Sequence, residues 1–333
     1  MFSILKPFIF SLDPEAAHDL AINSLKFNVL PKRAFSVQDE EMLETNLFNE
    51  KLPNPIGLAA GFDKSAEVYN SLFRLGYGFV EVGTITPRRQ LGNPKPRIFR
   101  LEKDYALINR LGFNNHGSEI VSKRISQNLP VGFLGINIGP NKDSLNKEED
   151  YLICLARLFP HAGYLTINIS SPNTEGLRDF HNQDELEKLL LGINKIKKDK
   201  NISKPLVLKI SPDINNDDVG KIIELILKFK ISGVIVSNTT DRNRENLSDV
   251  QKNEIGGLSG KPLKDLSTKL IKKFYKESKG KIVIIGVGGV DTGQSAFEKI
   301  SAGARAVQLY TGMVYKGPGV VKDMKKELIS ILK

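Results

Sequence analysis

At 333 residues, 40% of them hydrophobic and 26% charged, the chain has room for one large α/β domain or two ordinary ones, and its composition excludes intrinsic disorder. Cys154 is the single cysteine, so an internal disulfide is excluded, a reducing compartment is expected, and no Cys/His spacing resembles a metal site. The formal net charge of +10 raises nucleic acid or an anionic membrane surface as partners.

The chain opens with a strongly apolar segment, residues 2–10, which Lys6 and Pro7 interrupt. It is shorter than the roughly 20 residues that a transmembrane helix needs, and no small-residue cleavage site follows it, so neither a membrane span nor a signal peptide is predicted. Asp13 followed by Pro14 is typical of a helix start, and two short helices are therefore predicted in residues 1–37. Periodicity favours a cap on the core; an interfacial helix pair that dips aromatic side chains into a bilayer is the alternative.

From residue 55 onward the chain repeats one unit, a short apolar run that ends in a small or polar residue and precedes a helical segment. Eight such runs predict a (β/α)8 barrel, an α/β fold whose parallel strands are buried on both faces, over residues 38–333. The gaps at 84–131 and 238–281 are too long for a plain unit and predict insertions on the loop side. The runs are residues 56–60, 79–83, 133–138, 164–169, 206–210, 234–237, 282–286 and 306–310.

Two basic stretches contribute to the positive charge. The lysine-rich residues 195–200 are typical of the solvated face of a helix. A denser set lies in the Pro- and Gly-rich first insertion and is the better candidate for binding anionic ligands. Its members are Arg88, Arg89, Lys95, Arg97, Arg100, Lys103 and Arg110.

Polar residues recur where the predicted strands end. In barrels of this kind the carboxyl ends of the strands build the functional site. A buried amide without partners costs roughly 1–3 kcal/mol, so a ring of asparagines predicts a polar, planar ligand. The segments are 59–64, Thr84, Asn137, 168–173, Lys209 and 237–239.

Glycine-rich turns follow the last two strands, at residues 286–289 and 310–312. Barrels commonly bind phosphate there through backbone N–H groups. A dinucleotide-binding fingerprint is a weak interpretation, because Asp291 occupies the place of its third glycine. A phosphate site is therefore predicted, with purely structural tight turns as the alternative.

Six motifs spread over nearly the whole chain carry a family resemblance: residues 57–64 (GLAAGFDK), 81–84 (EVGT), 108–115 (INRLGFNN), 168–173 (NISSPN), 256–260 (GGLSG) and 285–289 (IGVGG). Together they resemble the dihydroorotate dehydrogenase family. The resemblance implies FMN as cofactor and oxidation of (S)-dihydroorotate to orotate in pyrimidine (UMP) synthesis. Ser171 stands where the cytosolic class of that family has a cysteine base, so the chain resembles the membrane-associated, quinone-dependent class.

This resemblance changes the interpretation of the N-terminal helices, because that class has a helical quinone-tunnel subdomain at the same place. It implies ubiquinone or menaquinone as a partner, and peripheral attachment to the cytoplasmic face of a bacterial inner membrane. His18 and Arg100 match positions that line the quinone end of the tunnel. No nucleic-acid partner and no metal are implied.

The resemblance also implies the roles of individual residues. Ser171 is the expected base that removes a proton from C5 of dihydroorotate, with Thr174 and a bound water as its relay. Lys209 is the expected cation beside the N1 and O2 region of the flavin. The residues expected to bind FMN are Ala60, Gly61, Lys64, Thr84, Asn137, Asn168, Lys209, Ser237, Gly260, Gly288, Gly289, Tyr310 and Thr311.

The substrate site follows from the same resemblance. Asparagines are expected to bond the amide edges and the carboxylate of dihydroorotate, with Gly112 and Phe113 as a wall. Ser237 stands where close relatives often have threonine, a change that keeps the hydroxyl. The residues expected to bind substrate are Lys64, Asn109, Arg110, Leu111, Gly112, Phe113, Asn168, Asn173, Asn238 and Thr239.

Two other functions remain open on the sequence. An FMN barrel that reduces uridine in transfer RNA, a tRNA dihydrouridine synthase, would suit the basic charge. It is expected to use a cysteine acid, however, and Cys154 precedes the fourth strand within a helical segment. A non-redox barrel that binds a phosphorylated metabolite is compatible with the glycine turns alone.

Overall fold

The computed structural model of the protein describes residues 2–27, 29, 35, 38–174 and 176–333. The predicted N-terminal subdomain, residues 1–37, therefore lies partly outside the described residues. The strands are β1 (Thr45–Leu47), β2 (Glu50–Leu52), β3 (Ile56–Leu58), β4 (Phe79–Ile85), β5 (Ile98–Leu101), β6 (Ala106–Asn109), β7 (Phe133–Ile138), β8 (Tyr164–Asn168), β9 (Leu206–Ile210), β10 (Gly233–Val236), β11 (Gly257–Gly260), β12 (Val283–Val287) and β13 (Ala306–Leu309).

Helices alternate with these strands along most of the chain. Those of the described residues are α1 (Phe2–Ser11), α2 (Pro14–Lys26), α3 (Tyr69–Phe73), α4 (Ser118–Gln127), α5 (Lys147–Leu158), α6 (Gln183–Asp199), α7 (Asn216–Lys228), α8 (Lys264–Glu277), α9 (Gly293–Ser301), α10 (Thr311–Lys316) and α11 (Val320–Leu332). Lysines at the end of α6 lie on its exposed side, as the lysine-rich run predicted.

Eight strands close into a parallel barrel in the order β10-β12-β13-β3-β4-β7-β8-β9. They correspond to the eight apolar runs, so the barrel prediction is confirmed. Every residue of β4, β8, β9 and β10 is buried, because the barrel interior covers one face of each strand and the helices cover the other. The hairpin of β1 and β2 packs Leu47 and Leu52 on the inner core, beside Phe79 and Tyr164.

The intervals 84–131 and 238–281 contain a second, three-stranded antiparallel sheet in the order β11-β6-β5. Its register sets Asn109 opposite Gly257 and Ala106 opposite Gly260. Because β6 and β11 come from distant parts of the chain, this sheet fixes two separate segments of the predicted site against each other.

The two N-terminal helices contact the barrel unequally. Asp13 caps α2 by accepting hydrogen bonds from the backbone N–H groups of Glu15 (2.9 Å) and Ala16 (3.0 Å), as predicted. α2 buries Ile22 and Leu25 in the core. α1 has no buried residue and leaves its apolar side exposed. Among the described residues, every helix falls short of the length and hydropathy that a membrane span requires.

Arginines of the first insertion hold these helices in place. Arg97 forms an ion pair with Glu15 of α2 at 2.6 Å. Arg100 donates to the carbonyl oxygens of Ile9 (3.3 Å) and Leu12, at the end of α1. At least these two members of the basic stretch therefore bond protein groups.

Candidate functional site

A large cavity lies at the carboxyl end of the barrel, under the sheet of β5, β6 and β11. It contains about 1310 Å³ of space free of atoms, counting the part open to solvent. Its wall combines apolar side chains with amide, hydroxyl and ammonium groups. This mixture is typical of a small-molecule site.

Most of the predicted site residues lie in the wall of this cavity. The barrel brings them together because the carboxyl ends of parallel strands meet at one rim. They are Ala60, Gly61, Lys64, Thr84, Asn109, Leu111, Gly112, Phe113, Asn168, Ser171, Asn173, Lys209, Ser237, Asn238, Thr239, Gly260, Gly288, Gly289, Tyr310 and Thr311.

Five predicted site residues lie away from the wall. Asn137 is fully buried one layer below it, and Thr174 is buried in the loop after β8. Arg110 points to Glu254, at 2.7 Å. Arg100 bonds the end of α1, and His18 of α2 lines a separate cleft beside the cavity.

Ser171 lies just after β8 and is 5% exposed. Its Oγ accepts a hydrogen bond from the backbone N–H of Asn173 (3.2 Å), which fixes the turn. The Asn173 amide in turn donates to the carbonyl oxygen of Asn109 at 3.1 Å. No group of the described residues accepts the hydroxyl proton of Ser171, so this hydroxyl is available to a molecule in the cavity.

The amides beside Ser171 are oriented by a chain of hydrogen bonds. Asn168 donates from Nδ2 to Thr84 Oγ1 (3.0 Å), and Thr84 donates to Oδ1 of Asn137 (2.7 Å). Asn137 then donates from Nδ2 to Glu81 Oε1 at 2.8 Å. Connected networks of this kind rigidify a buried site, so the donors and acceptors at the wall are preorganised.

Glu81, to which no role was assigned from the sequence, is the end point of that chain. Its fully buried carboxylate also accepts hydrogen bonds from Tyr164 (2.8 Å), Thr166 (3.2 Å) and the side-chain amide of Gln308 (3.0 Å). The only local signal was an acidic residue in an otherwise apolar strand.

Gln308 is a second residue that sequence reasoning missed. It is fully buried within β13 and lines the cavity, and its Oε1 has no hydrogen-bond partner among the described residues. A buried acceptor without a partner costs about 1–3 kcal/mol. Gln308 therefore presents an acceptor that a ligand with an N–H edge would satisfy.

Lys209 brings a positive charge to the floor of the cavity. It lies in β9, is 6% exposed, and forms no hydrogen bond or ion pair with another described residue. Burial lowers the pKa of its ammonium group, and the negative charge of Glu81 opposes that shift. A bound anion or an electron-rich ring edge is the partner this lysine lacks.

Lys64 lies between the cavity and the neighbouring cleft and lines both. Burial lowers its pKa to about 8. Its Nζ is 3.3 Å from Nε2 of His18, whose pKa is held well below 6.5 by burial and by the charge of Lys64. Lys64 therefore faces a neutral imidazole of α2 and links that helix to the cavity.

The glycines at the opposite end of the cavity form a cradle of bare backbone. Gly260, Gly288 and Gly289 have φ values of +97°, +109° and +68°, which favour glycine. A Cβ atom on Gly289 would lie 2.5 Å from Cβ of Lys264, and one on Gly260 would lie 2.4 Å from the carbonyl oxygen of Tyr105. Turns of this kind can present backbone N–H groups to a phosphate.

A buried lysine supports this cradle from behind. Lys299 is fully buried, and its Nζ donates to the hydroxyls of Ser267 and Thr268, each at 3.1 Å, in the first turns of α8. Ser267 itself donates to the carbonyl oxygen of Val287, next to the glycines. Burial lowers the pKa of Lys299 to about 7. Nothing local in the sequence distinguished it from a surface lysine.

No group of three or more His, Cys, Asp or Glu side chains that could hold a metal ion occurs in the described part of the chain. The polar groups that line the cavity suit an organic ligand. The carbonyl, amide and ammonium groups match a planar ring with polar edges, and the glycine cradle matches a phosphate.

Comparisons with known proteins agree with this geometry. Residues 42–332 match the family model described as Dihydroorotate dehydrogenase. The chain is 45% identical to dihydroorotate dehydrogenase (quinone) of Christiangramia forsetii, over 98% of each chain. It is 46% identical to the mitochondrial dihydroorotate dehydrogenase (quinone) of Mus musculus, over 97% of this chain and 84% of that one. The crystal structure of DHODH from Eimeria tenella in complex with ferulenol superposes with a TM-score of 0.91 at 40% identity, covering 96% of this chain and 92% of that one.

Proposed function

This chain belongs to the dihydroorotate dehydrogenase family, and we propose that it oxidises (S)-dihydroorotate to orotate, with FMN as hydride acceptor and a membrane quinone as final electron acceptor, in UMP synthesis. The observation that carries the proposal is the free hydroxyl of Ser171 in a cavity that joins an array of oriented amides to a glycine cradle. Relatives named as quinone-dependent over nearly the full chain support the choice of acceptor.

FMN suits this cavity at both ends. Its phosphate would be held by Gly260, Gly288 and Gly289, with Tyr310 and Thr311 beside them. Its ring edges would meet the ammonium group of Lys209 and the free acceptor of Gln308, which supply the donor and the acceptor that such edges need. Bound there, FMN would accept a hydride from the substrate and pass the electrons on to a quinone.

Dihydroorotate suits the amide-rich side of the cavity. Asn109, Asn173 and Asn238 present amide groups, and Thr239 and Lys64 add a hydroxyl and an ammonium group. These groups complement the ring amides and the carboxylate of the substrate. Because hydrogen bonds already orient Asn173 and Asn238, little ordering is left to occur on binding.

Ser171 is the proposed base at C5 of dihydroorotate, while hydride leaves C6. A serine hydroxyl is a weak base, so the proton needs a route away from Oγ. Thr174, buried three residues further along the same loop, with a water molecule, is the proposed route. Burial of both residues excludes bulk water from the reacting atoms.

Residues 1–37 are the proposed quinone-tunnel subdomain, with residues 38–333 as the catalytic barrel. Apolar side chains of α1 stand in solvent, with Ile4 80% and Phe8 66% exposed. α1 also carries Lys6. A short helix with an exposed apolar face and a basic residue suits an interfacial helix at the cytoplasmic face of a bacterial membrane. His18 and Arg100 are the proposed residues of the quinone end.

Charge on the exposed face of α1 is expected to release the protein from membranes. Burying an apolar side chain contributes about 1.5–3 kcal/mol, so the double variant Ile4→Glu/Phe8→Glu should bind vesicles of phosphatidylethanolamine and phosphatidylglycerol at least about 10-fold more weakly. Co-sedimentation measures this. The matched control is Leu129→Glu/Leu145→Glu, which adds the same charge at two exposed leucines of the barrel; equal loss in both variants would contradict the assignment.

The transfer-RNA alternative lacks its acid in this structure. Cys154 is fully buried in α5, and burial raises the pKa of its thiol. It does not line the cavity. A non-redox barrel would keep the glycine cradle but would have no use for Lys209 and Ser171 at the opposite end.

One anaerobic experiment tests the proposed function. Purified protein is mixed with dihydroorotate, the flavin absorbance is followed, and a ubiquinone analogue, fumarate or NAD is then added to separate samples. We expect bleaching by dihydroorotate and rapid recovery with the quinone alone. Recovery with fumarate or NAD would overturn the proposal that a quinone is the electron acceptor. A lack of bleaching would overturn the proposal that dihydroorotate is the substrate. A colourless protein that cannot bind added FMN would support the non-redox alternative.

A further inference from the structure

Arg178 connects three loops around the proposed substrate site. It lies after β8, seven residues beyond Ser171. Its Nη2 is 3.0 Å from Oδ2 of Asp213 in the loop after β9, and its Nη1 is 2.8 Å from Oδ2 of Asp241 in the loop after β10. One guanidinium group thus joins the ends of three consecutive barrel strands.

The same guanidinium group also bonds the backbone next to two site residues. Its Nε donates to the carbonyl oxygen of Ser170, the neighbour of Ser171, at 3.5 Å. Its Nη2 donates to the carbonyl oxygen of Thr239 at 3.4 Å. Arg178 does not line the cavity, so its effect reaches the site through these two carbonyls.

Asp213 is a rigid anchor for this arginine. Its side chain is 3% exposed, and it accepts hydrogen bonds from the hydroxyl of Thr240 and from the backbone N–H of Asp241 (3.2 Å). Its own backbone N–H donates to Ser211 Oγ at 3.1 Å. A carboxylate held by this many partners has one position, and the planar fork of arginine transmits that position to both backbone segments.

We propose that the Arg178–Asp213 pair is a positioning clamp that sets Ser171 against the substrate held by Thr239. The inference rests on the proposed function, because it takes Ser171 as the base and Thr239 as a substrate ligand. Proton transfer demands hydrogen-bond reach between base and carbon acid, and a displacement of 1 Å can cost about 100-fold in rate. Loss of the clamp shifts Ser171 without removing any group that touches the substrate.

The clamp acts on one half of the reaction only. Arg178, Asp213 and Asp241 contact neither the glycine cradle nor the N-terminal helices through any hydrogen bond or ion pair found in the described residues. Reduction of the flavin by dihydroorotate therefore depends on the clamp, whereas FMN retention and reoxidation by quinone do not.

The test is a coupling measurement on the FMN-loaded full chain. Arg178→Met is expected to slow flavin reduction at saturating dihydroorotate by about 10- to 100-fold. In the Ser171→Ala background, the same substitution is expected to add less than about 3-fold, because positioning a base that is absent has no effect. Arg178→Lys, which keeps the charge without the fork, is expected to be intermediate.

The control and the outcomes are specific. Lys188→Met removes a surface cation whose ion pair with Glu148 lies far from the proposed site, and its reduction rate should equal that of the wild type. If Arg178→Met does not fold, Asp213→Asn carries the same test, since it keeps the shape of the anchor without its charge. Two results would overturn the clamp alone, provided that dihydroorotate bleaches the wild-type flavin. One is a reduction rate in Arg178→Met equal to that of the wild type. The other is that the effects of Arg178→Met and Ser171→Ala multiply in the double variant. Failure of the wild type to bleach would overturn the proposed function and the clamp's role with it.

Discussion

The Ser171→Ala variant is expected to keep its flavin and to lose at least about 100-fold in the rate of flavin reduction by dihydroorotate, the scale of a missing general base. The hydroxyl of Ser171 is buried at the cavity wall, and no described group accepts its proton. Alanine removes this oxygen and with it the hydrogen bond from the backbone N–H of Asn173. Anaerobic stopped-flow measurement of flavin bleaching gives the rate.

Two comparisons make this result specific to proton removal. Ser171→Cys places an ionisable thiol at the same position. The flavin of this variant is therefore expected to be reduced by dihydroorotate faster than that of the alanine variant. Reoxidation of chemically reduced enzyme by quinone should be equal in all three proteins. A reduction rate in Ser171→Ala equal to that of the wild type would refute Ser171 as the base.

The Gly289→Ala variant is expected to show the opposite loss, in which the protein folds but does not retain FMN. A left-handed residue other than glycine costs about 1–2 kcal/mol, and the new Cβ would lie 2.5 Å from Cβ and 2.7 Å from Cα of Lys264. The cradle must therefore move, and FMN affinity should fall at least about 10-fold. Titration of the apoprotein with FMN, followed by flavin fluorescence, measures the affinity.

Gly280 is the matched control, since its φ of +70° is close to the +68° of Gly289. A Cβ atom on Gly280 would meet its nearest atoms, in Tyr275, at an ordinary 3.4 Å, far from the cavity. Gly280→Ala should therefore lower the free energy of unfolding by a similar amount and keep normal FMN affinity. Equal FMN affinity in both variants would mean that the turn at Gly289 is structural only.

The residue roles that these variants test were inferred from a family resemblance. The apolar periodicity predicted only where along the chain the strands end and the site residues lie. Apolar runs predicted eight buried strands, and polar residues at their ends predicted one rim. The same reasoning had no means of telling that Asn168 faces the cavity while Asn137 lies below it, because both follow the same pattern along the chain.

The polar groups that hold the site rigid were beyond sequence reasoning for a physical reason. The partners of Glu81 include Gln308, 227 residues away, and those of Arg97 include Glu15, 82 residues away. Such pairs leave no periodic signal, because their meeting depends on the register of strands and on the packing of distant loops. Arg178 is a further case, since only the closed barrel brings the loops after β8, β9 and β10 together.

The sequence by itself determined the barrel, the start of α2 at Asp13 and the glycine turns, because apolar periodicity, helix capping and left-handed φ values are local properties of neighbouring residues. Only the tertiary structure decided which polar residues face the cavity and how β6 pairs with β11 above it. It also decided that Glu81, Lys299 and Asp213 support the site from behind. Those contacts arise when the barrel closes and brings remote segments within hydrogen-bonding distance, so no local stretch of the chain specifies them.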